Sequence, residues 1–147
     1  MINERLGGFD RLYGLEILEC GGERARARVA VRAELLQPYG LVHGGVYAAI
    51  AESLASMATA LAMDEPGARA VGMSNATSFL RPVTGGFINA EARRLHAGRT
   101  TWIWDVECSD DAGRACAVTR MTIAVRPAIQ PGGEPPAARP GPAAPFS

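Results

Sequence analysis

The 147-residue chain contains no lysine: all fifteen cationic side chains are arginine, and fifteen carboxylates balance them to a formal net charge of zero. That balance excludes the strongly basic surface by which a protein holds nucleic acid or an anionic membrane, so neither is expected as a partner. Cysteine is scarce as well. Cys20, Cys108 and Cys116 are odd in number, widely spaced and without a CxxC pair, which encodes neither a disulfide framework nor a zinc site. A reducing, cytoplasmic setting is the expectation. The N-terminal MINERLGGFDRLYG carries early acidic residues and no apolar segment, so it does not read as a secretory signal. One long apolar run is present, from Val46 to Met63. It is long enough to be weighed as a membrane span, but it is alanine-rich, and Glu52, Ser53, Ser56 and Thr59 would be costly in lipid. The core helix of a soluble protein is the better reading.

What is present supports a single domain of about 125 residues with one modest core. Two strand-like runs come first, YGLEILEC (13–20) and ERARARVAVR (23–32), separated by Gly21-Gly22. The second alternates, with Arg24, Arg26 and Arg28 on one face and Ala25, Ala27, Val29 and Val31 on the other, as a half-solvated strand does. The long helix follows, and Pro66-Gly67 ends its region. Four more extended segments, 68–80, 86–96, 100–109 and 114–126, are divided by short breaks rich in Gly, Pro and Asp. Short breaks make hairpins, hence an antiparallel sheet. Trp102 and Trp104 share one strand face with Val106 and Cys108, the pattern of a core or subunit contact. The expected class is α+β: about six strands in one curved antiparallel sheet, wrapped around a helix that is apolar on all faces and needs cover on all of them. The domain is expected to span 1–126. Fifteen of the last twenty-one residues, 127–147, are Pro, Gly or Ala, a composition that buries too little to order itself and reads as a flexible tail.

The chemistry lies in the helix. Glu52, Ser56, Thr59 and Met63 fall on neighbouring turns of one stripe by spacing. A carboxylate in an apolar setting costs several kcal/mol unless it has a partner or a task, so Glu52 is a candidate general base. At the other end, His43-Gly44-Gly45 stands where the helix should begin. The first N–H groups of a helix have no internal partner and sit at the positive end of its dipole, a natural oxyanion site. Gly44 and Glu52 are eight residues apart, roughly 12 Å at about 1.5 Å per residue. A base and an oxyanion donor acting on one carbonyl need targets within about 5 Å of each other. One chain cannot supply both, and the chemistry therefore calls for a homodimer with antiparallel helices about a twofold axis.

The stretch QPYGLVHGGVYAAIAESLASMA, continued by VGMSNATSFLRPVTGG and AEARRLHAGRTTWIWDVECSDDAGRACAVTRMTIAV, resembles the hotdog-fold acyl-CoA thioesterases. It is most similar to the branch containing the phenylacetate-pathway thioesterases, the Arthrobacter-type 4-hydroxybenzoyl-CoA thioesterase and the dihydroxynaphthoyl-CoA thioesterases. The resemblance covers about residues 10–126 and implies the wrapped-helix fold, with dimers commonly paired into tetramers. It implies Glu52 as the catalytic carboxylate, general base or nucleophile, and Gly44 N–H as the group polarising the thioester carbonyl. His43 and Gln37 would position the thioester and water, and Ser56 would orient the water. It also implies that Phe79, Leu80, Arg81 and Pro82, with the loop His96, Gly98, Arg99, Thr100 and Thr101, hold the coenzyme A arm, with Gly72 near the pantetheine. Arginine at such turns suits the phosphates of coenzyme A. Phe79 stands where some members acting on hydroxylated aryl groups have a His, which leaves plain aryl or medium-chain acyl groups as the expected substrates. No metal or redox cofactor is expected. The competing reading from another class is a non-catalytic acyl-CoA binder or sensor, which would gain nothing from Glu52 beside Ser56; a hydratase is a weaker third.

Overall fold

A computed structural model describes residues 2–128. Apart from Pro127 and Ala128, the expected tail lies outside the described residues. A short helix α1 (Gly8–Tyr13) opens the fold, followed by β1 (Leu15–Cys20), β2 (Arg24–Ala30), the long helix α2 (Gly44–Ala62), β3 (Arg69–Phe79), β4 (Phe87–Ala97), β5 (Thr101–Ser109) and β6 (Ala115–Arg126). All strand pairings are antiparallel, in the order β1-β2-β4-β5-β6-β3. The one long helix and the six strands agree with the sequence expectation. Helix α1 was not foreseen, because six residues carry too little periodicity to signal a helix. It ends on Gly14 at φ 81°, where a left-handed residue lets its N–H bond back to Arg11 and Asp10.

The sheet curls around α2 because its inner face is apolar at every other residue. Val29, Ile88, Trp104, Val106, Met121 and Ile123 are all buried there, packed against Ile50, Leu54, Ala55 and Ala58 of the helix. Small residues on the helix let the sheet approach closely. The outer face is solvated, as the alternation of β2 implied: Arg28 makes two hydrogen bonds to Glu16 at 2.8 and 3.1 Å, and Arg24 pairs with Glu91 at 2.9 Å. Exposed pairs of this kind are screened by solvent and add little to stability. Their use is solubility of that face. Trp102 and Trp104 point inward together, Trp104 fully buried and Trp102 half-buried.

Two expectations about α2 change. Thr59 shares the stripe with Glu52 by helical spacing but not its exposure. It is buried, its hydroxyl donates to the Ala55 carbonyl at 2.8 Å, and it accepts from Trp104 Nε1 at 2.9 Å. Met63 lies one residue past the helix as its C-cap. Nor does the sheet cover the helix all round. Eight helix residues are buried, while Gly45, Glu52, Ala60 and Leu61 are exposed. Six strands of one chain close over only part of a helix whose diameter with side chains is about 10–12 Å. The helix is long and apolar enough to cross a membrane by composition, but its buried face is committed to the sheet of its own chain.

Candidate active site

The open side of α2 borders β3, and each end of that border carries one set of candidate residues. At the start of the helix, His43 is the N-cap with extended backbone (φ −62°, ψ 133°), and its Nδ1 accepts from Gly45 N–H at 2.9 Å. An accepting Nδ1 puts the ring proton on Nε2, so His43, exposed, presents an N–H donor outward. Val46 N–H bonds to the His43 carbonyl. The N–H of Gly44 is left without an acceptor among the described residues, a free donor at the positive end of a nineteen-residue helix. Gln37 lies in the turn just before, accepting from Tyr39 N–H through its side chain and bonding Leu41 and Gly40 through its backbone.

Phe79 covers this helix start. A Cβ placed on Gly44 would come within 2.7 Å of the Phe79 ring, so glycine is required here for close approach of the aromatic ring. The ring also packs on Tyr47, with centroids 6.1 Å apart. Tyr47 is buried and its hydroxyl has no hydrogen-bond partner among the described residues; burial, with the neighbouring Cys116, pushes its pKa far above the ordinary tyrosine value. Leu80, Arg81 and Pro82 follow Phe79 and are exposed, anchored where Leu80 and Arg81 N–H reach the Cys116 carbonyl.

Glu52 sits at the other end of the border, exposed in the single chain. Its carboxylate lies over Gly72 of β3: a Cβ there would stand 3.2 Å from Oε1. Gly72 therefore belongs beside the carboxylate, a closer association than its expected place near the pantetheine. Ser56, one turn on, is half-buried on α2. The β4–β5 loop shares this end, because Gly72 pairs with Ile123 and Ile123 with Trp102. Within it Gly98 N–H bonds the Thr101 carbonyl, Trp102 Nε1 donates to the Gly98 carbonyl, and His96 packs against Gly98. Arg99 and Thr100 are exposed. Phe79, in contrast, pairs with Ala117, which pairs with Cys108 at the far end of the sheet.

The fold thus sorts the expected residues into two groups. Gln37, His43, Gly44 and Phe79 to Pro82 lie at one end; Glu52, Gly72, Ser56 and His96 to Thr101 lie at the other. The 12 Å gap expected along the helix persists, since both Gly44 and Glu52 belong to α2. Midway, Asn75 Nδ2 donates to the Ala48 carbonyl at 2.9 Å and its Oδ1 accepts from Thr77, which meets Thr119. No sequence pattern signals this tether, nor the cluster formed by Asp10, Tyr13 and Ser53 next to Glu52, where Ser53 Oγ is 2.6 Å from Asp10 Oδ1. Asp10 is forty-three positions from Ser53, and no local pattern links them. The large concavity of about 700 Å³ lies elsewhere, on the outer sheet face among Arg26, Glu91, Asp105 and Arg120. Glu52 does not line that concavity.

Comparison with known proteins fits this arrangement. The family model of the Thioesterase superfamily matches residues 39–117. The chain belongs to that superfamily. It is 42% identical to the proofreading thioesterase EntH of Klebsiella pneumoniae over 99 residues, 67% of this chain and 72% of the relative. It is 29% identical to the 1,4-dihydroxy-2-naphthoyl-CoA hydrolase of Listeria monocytogenes, covering 81% of this chain and 96% of that one. A crystal structure of a mutant thioesterase from Pseudomonas aeruginosa superposes with a TM-score of 0.80 at 34% identity, over 86% of this chain and 91% of that one. The fold is the hotdog fold of these thioesterases, and the protein is a thioester hydrolase.

Proposed function

We propose that this thioesterase hydrolyses aryl- or medium-chain acyl-CoA, in the branch of the phenylacetate-pathway and Arthrobacter-type enzymes, at sites shared between two copies of the chain. Glu52 of one copy activates water as general base, or attacks as nucleophile. The free Gly44 N–H of the other copy receives the thioester oxygen as negative charge builds on it, and the thiolate of coenzyme A leaves. The reaction so written uses no metal or redox cofactor. The single observation that carries this reading is the division of the candidate residues between opposite ends of one uncovered border. Antiparallel contact of two such borders sets each Glu52 end against a Gly44 end.

The border itself supports a second copy. Strand β3 is an eleven-residue edge with Val71 52%, Met73 61% and Phe79 60% exposed, a long apolar edge of the kind isolated chains avoid. If two β3 strands pair so that Gly72 faces Phe79, the twofold axis falls between Asn75 and Ala76. That point adjoins Ala48, which accepts from Asn75 and lies midway between Gly44 and Glu52. Pairing of dimers into a tetramer follows the branch. The exposed Arg81 and Arg99 suit the phosphates of coenzyme A, and His43 Nε2–H can orient the thioester. Phe79 and Leu80 suit an apolar acyl group; the Listeria relative is named for a hydroxylated aryl substrate, 1,4-dihydroxy-2-naphthoyl-CoA, and the Phe79 reading sets this chain apart from it.

Wild type and Glu52→Gln are to be compared by thiol release across benzoyl-, phenylacetyl-, hexanoyl- and decanoyl-CoA. Wild type is expected to turn over part of this panel, with Glu52→Gln lowering kcat by about 100-fold or more. No release by wild type, or equal release by both, overturns the reading; binding without turnover by both establishes the sensor instead.

A further inference from the structure

We infer that Asp10, acting through Ser53, is a positioning residue that aims Glu52. The inference rests on the catalytic reading of Glu52 given above. Three oxygens form a closed triangle between α1 and α2. Asp10 Oδ1 lies 2.6 Å from Ser53 Oγ and 3.0 Å from Tyr13 Oη, and the two hydroxyls are 3.1 Å apart. An ionised carboxylate only accepts, so Ser53 donates to Asp10, and the Tyr13 proton is shared between Asp10 and Ser53. The 2.6 Å contact is in the short range of charge-assisted O–H···O⁻ bonds, the stronger class. Tyr13 is kept a donor by burial, which moves its pKa far above the ordinary value; the charges of Asp10 and Glu52 act in the same direction.

This polar cluster is more than the packing of α1 requires. Helix α1 has six residues, gives only Tyr13 to the core and leaves Phe9 and Leu12 exposed. A segment so short has no stability of its own, and a buried aromatic ring already holds it down. What the triangle adds is a directional bond to the residue that follows Glu52. Ser53 and Glu52 are consecutive on α2, so fixing the Ser53 side chain fixes the roll of the turn that carries the carboxylate. The second point is Asn75, which holds the Ala48 carbonyl one turn earlier from the β3 side. Two tethers from different elements determine the rotation of a helix about its axis. At the outer radius of a helix, about 5–6 Å, a roll of about 10° moves a side chain by about 1 Å. Misplacement of that size costs up to about 100-fold in rate when it falls between reacting groups. The cluster lies on α1, forty-three positions away in sequence from the helix residue it contacts, and no catalytic group of the reaction need touch it.

The test uses the full chain with Asp10→Ala, Ser53→Ala, the double variant and Asp10→Asn, and reads kcat and KM on the best substrate of the acyl-CoA panel together with thermal midpoints. Positioning predicts that each single alanine variant lowers kcat about 10- to 100-fold with KM changed less than twofold. The double variant should be no worse than either single one. Asp10→Asn, which keeps an acceptor oxygen at the same place, should retain most of kcat. A purely structural role predicts lower thermal midpoints with kcat per folded enzyme unchanged, and that result overturns the inference, as does additivity of the two variants. If wild type hydrolyses no thioester, the catalytic reading fails on its own. Crystal structures of wild type and Asp10→Ala then decide: a Glu52 carboxylate displaced from Gly72 upholds the aiming role, and an unmoved one refutes it.

Discussion

Strands β3 and β6 pair with each other from Arg69–Arg126 to Phe79–Ala117, yet they occupy opposite environments. Strand β6 buries Cys116, Ala117, Thr119, Met121, Ile123 and Ala124, while β3 buries none of its side chains fully. Apolar content does not explain the difference, because β3 contributes Val71, Met73 and Phe79. Position does. Strand β6 has β5 on its other side, and β3 has no second strand among the described residues. The exposed strand is also the one that borders Glu52 and approaches Gly44. An interior strand is finished by its own chain, whereas the edge strand, and the site beside it, is left open by its own chain and is the place the proposed partner would fill.

The strongest way to break this comparison is to separate the two halves of the site. Gly44→Pro removes only the N–H in question. Proline is favoured at the first position of a helix, and the extended His43 before it is compatible with a following proline. Because a substituent at residue 44 would strike the Phe79 ring, the variant is best made with Phe79→Ala and judged against Phe79→Ala alone. Loss of an oxyanion donor lowers kcat about 100- to 1,000-fold. Mixed with Glu52→Gln that also carries Phe79→Ala and allowed to exchange subunits, it should form heterodimers with one intact site of two, returning about a quarter of the sites of the Phe79→Ala reference pool. Assayed activity that stays at the level of the separate variants after proven exchange would mean that each chain works alone.

A smaller effect compares the two strands directly. Ile123→Ala in β6 should cost about 2–5 kcal/mol of stability, as deletion of a fully buried aliphatic side chain does. Val71→Arg with Met73→Arg in β3 should leave the melting of the isolated chain within about 1 kcal/mol, because both side chains are exposed there. Light scattering should nonetheless find that double variant monomeric, and thiol release should find it inactive. A fully active dimer carrying both arginines would place the interface elsewhere.

The legibility of the sequence follows the same division. Period-two runs with short Gly-, Pro- and Asp-containing breaks revealed all six strands and their antiparallel sense, because each signal is local. The mid-helix Glu52 and the His43-Gly44-Gly45 start were legible for the same reason, and their spacing alone called for two copies. The burial of Thr59 was not legible because helical spacing cannot tell a hydroxyl facing solvent from one that back-bonds to Ala55 and receives the Trp104 N–H. Asp10, Tyr13, Asn75 and the contact of Gly72 with Glu52 were invisible, since each depends on elements brought together by the sheet. Gly72 shows the difference clearly: the family resemblance implied a place near the pantetheine, and only the folded register sets it beside the carboxylate as well.

That contact supports the smallest prediction, and the one most sensitive to how β3 serves the site. Adding a methyl group at residue 72 brings a carbon to 3.2 Å from Oε1, 3.4 Å from Cδ and 3.5 Å from Cγ of Glu52. The strand accepts alanine, since residue 72 has no left-handed backbone, and Glu52 is exposed and free to yield by a few tenths of an ångström. Gly72→Ala should therefore fold and assemble as wild type while lowering kcat about 3- to 10-fold, equivalent to about 0.7–1.4 kcal/mol of transition-state stabilisation. KM should hardly change if residue 72 meets only the carboxylate. A rise in KM with kcat intact would assign this position to the coenzyme arm instead, and β3 would then serve the substrate more than the base.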